Sequence, residues 1–234
     1  MSARKFLLFF ILCLFSLTVK AQESFTPQAL IIDVPTAAVL DKYQASFLTR
    51  SYANGSVMES LDFGVFPQVN IGLSLAVYEL VGNSEYIKVL DPDFQVKWKL
   101  FDGSLYLPAI AIGYDGRRYG YNRITKEYLD ERKGGYLTMT REIFTPGFQT
   151  SLGVNLSDFS RHHLFFFMGF SWQIKNWAAL LAEWDNVNDV RNSRLNLGAR
   201  LSLSPALSLS AAVRRIGRGD ENERILQLLY VTNF

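Results

Sequence analysis

The chain has 234 residues, of which 49% are apolar and 14% aromatic, with a formal charge of only +2. That length fits one sizeable domain or one barrel. Acids and bases are interspersed without a basic block, so nucleic-acid binding has no support, and no apolar run after the first twenty residues is long enough for a spanning helix. A chain this apolar without a long apolar block has to alternate its apolar residues along strands.

Residues 1–21 read as an export signal. Arg4 and Lys5 supply the charged start, Phe6 to Leu17 the apolar centre, and Val19-Lys20-Ala21 a small-x-small site with cleavage before Gln22. The single cysteine, Cys13, lies inside that centre. The mature chain then has no cysteine, hence no disulfide and no thiol chemistry. Gln22 to Asp41 is irregular, with Pro27 and Pro35, and reads as a periplasmic leader lying against or inside the body formed by residues 42–234.

From residue 42 to 234 period-two alternation recurs. The predicted strands are Lys42–Tyr52, turning at Asn54-Gly55; Ser56–Phe66, turning at Pro67-Gln68; and Val69–Leu80. Asp93–Leu100 comes after a longer loop and ends at the hairpin signal Asp102-Gly103. Ser104–Tyr114 leads into a polar, tyrosine-rich loop from Asp115 to Gly135, and Tyr136–Phe144 turns at Thr145-Pro146-Gly147. Phe148–Leu156 and His163–Ile174 come next, and Lys175-Asn176 turns the chain into Trp177–Asp185. Arg194–Leu203, Leu207–Ile216 and Glu223–Phe234 complete a set of twelve.

Three features of this set agree. Most segments have the nine to eleven residues that a tilted strand needs to cross a bilayer. Their number is even. Tight turns come after the even-numbered strands and longer connections after most odd-numbered ones, which is the asymmetry of outer-membrane barrels and places both termini in the periplasm. One face of each strand carries aliphatic and aromatic residues, and the other carries Arg, Lys, Asp, Glu, Asn, Ser and Gly. An all-β, transmembrane, antiparallel up-and-down barrel puts the first face on lipid and the second in the lumen. A secreted two-sheet sandwich is the other architecture with such alternation. In a barrel the terminal stretch Glu223–Phe234 pairs with the first strand near Tyr43–Arg50. Its alternating Leu226, Leu228 and Tyr230, with Phe234 last, resemble the terminal strands that bacterial outer-membrane barrels present to the barrel-assembly machinery.

Asp33-Val34-Pro35-Thr36-Ala37, the stretch Leu107-Pro108-Ala109-Ile110-Ala111-Ile112-Gly113-Tyr114-Asp115 and the strand Tyr136–Glu142 together resemble the YjbH-like outer-membrane β-barrel proteins over roughly residues 30–156. In the third stretch Thr and Arg stand where that group has Ser and Lys. The resemblance implies a barrel connected with exopolysaccharide export or surface polysaccharide. It supplies no catalytic residue.

Strand parity turns Arg50, Asp62, Lys97, Lys99, Glu142, Glu183, Asp185, Arg194, Arg200 and Arg214 toward the lumen. Two arrangements are compatible with that set. In one the charges neutralise one another in a plugged, rigid lumen, since an unpaired buried charge is costly. In the other they line a narrow channel with a cationic track for anions or acidic oligosaccharides. The expected surroundings are outer-membrane lipid and lipopolysaccharide, with no cofactor and no metal. A lipid-modifying enzyme using His162 or His163, beside Ser157, Asp158 and Ser160, is a further reading. Adjacent strand residues face opposite ways, so at most one of these histidines points inward.

Overall fold

The computed structural model describes residues 28–52, 55–82, 87–104, 106–122, 127–156, 164–188, 193–217 and 222–234. Thirteen strands are present among them. These are β1 (Gln44–Tyr52), β2 (Val57–Phe66), β3 (Val69–Tyr78), β4 (Lys88–Val89), β5 (Asp93–Phe101), β6 (Ala109–Asn122) and β7 (Glu127–Glu142), then β8 (Phe148–Leu156), β9 (Phe165–Lys175), β10 (Ala178–Asp185), β11 (Arg194–Ser202), β12 (Leu207–Arg214) and β13 (Glu223–Asn233). β4 is a two-residue addition beside Val77 and Tyr78 of β3. The other twelve form a ring of antiparallel neighbours.

The ring closes between the first and last strands, in register from Gln44 opposite Asn233 to Tyr52 opposite Ile225. The amide of Phe234 then donates to the carbonyl of Tyr43 at 2.9 Å. The Phe234 ring stands edge-on to Tyr43 and Phe63, with centroids 6.3 and 5.8 Å away. Closure gives each of the twelve strands a neighbour on both sides, which is what lets a sheet exist in lipid.

The polarity of this ring is the reverse of a water-soluble barrel. Along β3, Ile71, Leu73 and Leu75 are exposed, while Asn70 and Ser74 are buried. Along β13, Leu226, Leu228 and Tyr230 face out, while Glu223, Ile225 and Gln227 face in. The side chains most shielded from solvent include Arg50 and Arg214. An apolar girdle outside and a polar interior is the arrangement of a transmembrane barrel. The two-sheet sandwich is excluded by the closed ring.

Two predicted connections differ. The stretch Asp115–Gly135 is not a loop, because β6 and β7 continue as a ladder to the pair Asn122 and Glu127. β5 accompanies β6 only as far as Asp115, and β8 accompanies β7 only as far as Gly135, so the hairpin rises past its neighbours. Its register shifts twice between Asp115 and Gly120, and those irregularities break up the alternation in the sequence. Nor is Asp102-Gly103 a two-residue hairpin. β5 ends at Phe101 and β6 begins at Ala109, after Pro108. Between them the amide of Ser104 bonds the carbonyl of Leu107 at 2.8 Å. Proline has no N–H to give a ladder, which sets the later start of β6.

Candidate functional site: a lumen occupied by the leader

The described part of the leader, residues 28–41, does not lie outside the ring. It enters the lumen as a re-entrant loop. Thr36 N donates to Ala29 O at 3.1 Å and Ile31 N to Val34 O at 2.9 Å, which folds residues 29–36 back on themselves. Leu30 and Pro35 form the bridge at the neck of this loop. Ile31, Ile32, Val34, Thr36 and Ala37 are essentially inaccessible to solvent. The apolar side chains of the loop pack on Leu48, Met58, Phe167, Leu181 and Ile225, the inward-facing hydrophobes of five strands. Burying Ile31, Ile32 and Val34 contributes roughly 1.5–3 kcal/mol each by area alone. Residues 32–34 of the loop meet Arg50, Glu183 and Arg214 near the ends of β1, β10 and β12, while Ala29 and Ala37 meet Lys97 and Thr140.

β9 makes room for it. Gly169 faces inward, and a Cβ placed there would stand 2.6 Å from Ile31 Cδ1 and 3.1 Å from Val34 Cγ1. The three atoms nearest such a Cβ all belong to the plug, so a larger residue has to displace the tip of Ile31.

The polar wall binds the plug at its backbone. One Glu183 carboxylate oxygen accepts from the amides of Ile32, Asp33 and Val34 at 2.6, 2.8 and 2.7 Å, while Asn196 Nδ2 donates to the other at 3.0 Å. Successive N–H groups converging on one anion form a backbone nest. Cations take the carbonyls. Lys97 Nζ donates to Ala29, Thr36 and Ala38 at 2.9, 3.1 and 3.1 Å. Arg200 donates to Leu30 and Ile31 at 3.1 and 2.7 Å, and to Ser210 on β12 at 3.1 Å. Arg50 Nη2 donates to Ile32 O at 2.8 Å. On β7, Thr138 donates to Pro35 O at 2.9 Å and Thr140 accepts from Ala37 N at 2.8 Å. These bonds satisfy a loop backbone that would otherwise be orphaned in the interior.

The plug's Asp33 is the strongest single tie. Its Oδ1 meets Arg50 Nη1 at 2.8 Å and its Oδ2 meets Arg214 Nε at 2.7 Å, all three side chains being almost wholly buried. Arg214 also holds Glu223 at 2.9 Å. With its amide oxygen turned toward β1, Gln227 accepts from Arg50 Nε at 2.8 Å and from Arg50 Nη2. Burial works against the charged form of Asp33, but Arg214 and Arg50 outweigh it and hold the carboxyl below its ordinary range.

Further along the lumen wall the charges pair among themselves. Lys133 meets Asp185 at 2.8 Å, and Arg117 bonds Asp115 at 2.9 Å. Asp93 receives Arg118 at 3.3 Å and Arg132 at 3.2 Å, tying the raised β6–β7 hairpin to β5. Among the described residues, two small cavities lie beside the plug. One, of about 50 Å³, touches Gln28, Asp62, Arg117 and Arg200, and the other, of about 30 Å³, touches Asn70, Gln95 and Lys97. Spaces of that size hold a few waters, not a sugar ring.

Placed on this geometry, Arg50, Lys97, Glu183, Arg200 and Arg214 converge on the plug. Asp62 is half-buried beside both cavities, accepting from Ser60 at 3.3 Å. Three residues with inward parity sit apart from the plug, because parity does not report height. Lys99 is at the short-turn rim, paired with Asp102 at 2.8 Å. Glu142 is exposed at the end of β7, and Arg194 is half-buried at the start of β11 opposite Asp185. The lumen charges do not simply neutralise one another across the wall. Most of those at the plug bond its backbone instead. Strand parity and charge do not single out Asp33, Asn196, Gln227 or Gly169, all of which the plug site uses, whereas Glu223 carries both signals, being charged and opposite in parity to Leu226, Leu228 and Tyr230. Asp33 carries one usable signal, as the lone acid in the otherwise uncharged stretch Gln28–Leu40. His162 and His163 lie outside the described residues, as do residues 1–27.

No protein-family model matches the chain, and no curated protein matches it. Among solved structures, the KdgM porin is 10% identical with a TM-score of 0.48, the match covering 80% of this chain and 98% of that one. The Acinetobacter baumannii outer membrane protein Omp33 is 8% identical with a TM-score of 0.45, covering 83% and 98%. A mutant of the Rh. blastica porin is 12% identical with a TM-score of 0.39 over 77% of this chain, which spans only 56% of that porin. These are similarities of fold. The assignment as a membrane barrel rests on the closed ring and its reversed polarity.

Proposed function

We propose that this chain is an outer-membrane barrel held shut at rest by its own N-terminal segment, with a structural role or passive passage only after that segment moves. The observation that carries this is the plug. A loop whose amides, carbonyls and carboxylate are individually bonded to seven lumen side chains fills the space a solute would need. Export through residues 1–21 and assembly through Leu226, Leu228, Tyr230 and Phe234 belong to the same reading. The latter is supported by the exposure of all four side chains along one face of the seam. The link to surface polysaccharide rests on the YjbH-like stretches alone, and two of those, Asp33–Ala37 and Tyr136–Glu142, supply plug contacts.

Planar-bilayer recording tests it. The intact protein gives no conductance steps at moderate voltage, and a chain lacking residues 28–38 gives steady steps. Wild-type protein that conducts steadily at all voltages would overturn the reading. Heat-modifiable migration in gels checks that both chains have folded. Replacing His162 and His163 together with Ala, followed by an assay for lipid turnover, tests the enzymatic alternative, which is kept only if turnover is present and then disappears.

A further inference from the structure

Arg50 and Arg214 lie on β1 and β12, either side of β13, and both are buried. β13 gives them Glu223, which is in register with Arg214, and Gln227, which is in register with Arg50 and is neutral. The plug adds a carboxylate of its own, Asp33, whose two oxygens are divided between the arginines at 2.8 and 2.7 Å. Arg50 gives the carboxylate a charge-assisted hydrogen bond and Arg214 an ion pair, and planar guanidinium groups favour a carboxylate over a spherical anion. The lumen groups that bond the plug are otherwise biased the same way: Arg50, Arg200, Arg214 and Lys97 against the one carboxylate of Glu183.

We propose that Arg50 and Arg214, with Gln227, form a carboxylate-binding site that Asp33 occupies as an internal ligand, and that a carboxylate-bearing solute takes the same site when the plug leaves. This deepens the reading of a plugged barrel and rests on it. The plug then acts as a stand-in for cargo. It is a folded loop presenting a carboxylate and a set of carbonyl oxygens to cations, and an acidic sugar likewise offers a carboxylate and oxygen acceptors.

The test is chemical rescue, read by amide hydrogen exchange across residues 30–36 of the full chain in detergent. Asp33→Ala lowers protection there about a hundredfold, the scale for breaking a buried ion pair. Acetate restores at least about tenfold of that loss, chloride at equal ionic strength restores less than half as much, and Asp33→Ala with Arg50→Gln shows no rescue. Equal rescue by chloride, or none by acetate, overturns the site. Amides of residues 30–36 that are unprotected in the wild type would instead overturn the plug itself, so the two failures are distinguishable.

A second variant covers the case in which Asp33→Ala does not fold. Gly169→Val crowds Ile31 and Val34 of the plug and leaves Arg50, Arg214 and Gln227 in place. Its channel prefers anions in a salt gradient, and glucuronate blocks the current at lower concentration than the neutral sugar glucose. Block by acetate but not glucuronate restricts the site to free small acids rather than acidic sugars. Cation preference, or block that ignores the carboxylate, overturns the proposal.

Discussion

Glu183 gives the sharpest test of how the plug is held. Replacing it with Ala removes the acceptor for the amides of Ile32, Asp33 and Val34 and for Asn196 Nδ2. A buried donor left without a partner costs about 1–3 kcal/mol. Three orphaned plug amides therefore cost roughly 3–9 kcal/mol if none is rehydrated. Two effects reduce this. The space vacated by the side chain admits water, and the repulsion between the Glu183 and Asp33 carboxylates is relieved. The lower part of the range, about 3–5 kcal/mol, corresponds to a loss of roughly 10²–10⁴ in the seating equilibrium. Hydrogen exchange reads that equilibrium directly, because opening of the plug exposes those amides. Protection at residues 32–34 should fall by that factor, while amides of the β10–β11 ladder change little. Glu183→Gln keeps one acceptor oxygen and should lose only about tenfold, since a neutral acceptor makes bonds roughly half as strong. If Glu183→Ala leaves residues 32–34 as protected as the wild type in a barrel that still shifts on heating, the nest does not hold the plug.

Other variants probe the wall, the seam and the rim. A Cβ on Gly153 would stand 2.3 Å from Leu137 O and 2.4 Å from the Phe167 ring. Gly153→Ala should therefore destabilise the barrel itself by about 1–3 kcal/mol, seen as a lower temperature of heat modification. An unchanged temperature would mean the wall has slack there. Phe234→Ala removes the edge-on contacts with Tyr43 and Phe63, about 0.5–1.5 kcal/mol apiece, and should loosen the β1–β13 seam measurably in exchange at residues 44–46. At the rim, Asp102 accepts from Gln68 at 2.8 Å and pairs with Lys99. The bond from Lys99 holds the Asp102 carboxyl below its ordinary value. Its contribution is therefore fully present above about pH 4, the ordinary aspartate range, and is lost as pH falls through the lower folded value. Amides of residues 102–104 should exchange faster at pH 3 than the intrinsic rate change accounts for, and Asp102→Asn should abolish that excess.

The ring was legible because lipid and lumen impose opposite demands on neighbouring residues. Leu195, Leu197, Leu201 against Asn196, Arg200 admits only one register, so β11 is found almost to the residue. Phe234 against Tyr43 was legible for the same reason, since a barrel in lipid has to close. The β6–β7 hairpin was not, because beyond Asp115 it leaves the bilayer constraint and its ladder shifts register. The plug was hidden for another reason. Its loop has no periodicity, and nearly all its partners read its backbone. Carbonyl and amide groups are common to every sequence, so Lys97 and Arg200 looked like wall charges awaiting opposite charges. Only Asp33, the one side chain of the loop that carries charge, could have named a partner in advance.

Asp33 is bound to β1 through Arg50 and to β12 through Arg214, and these strands flank β13. Until β13 has come in between them, the two arginines do not stand at the spacing its carboxylate bridges. Seating the plug early would bury a charge with half its partners missing. Full seating of the loop therefore requires a formed β13 seam. A docked loop is a certificate that the last seam has formed, and a barrel stalled before closure would leave that loop exposed for a protease to find.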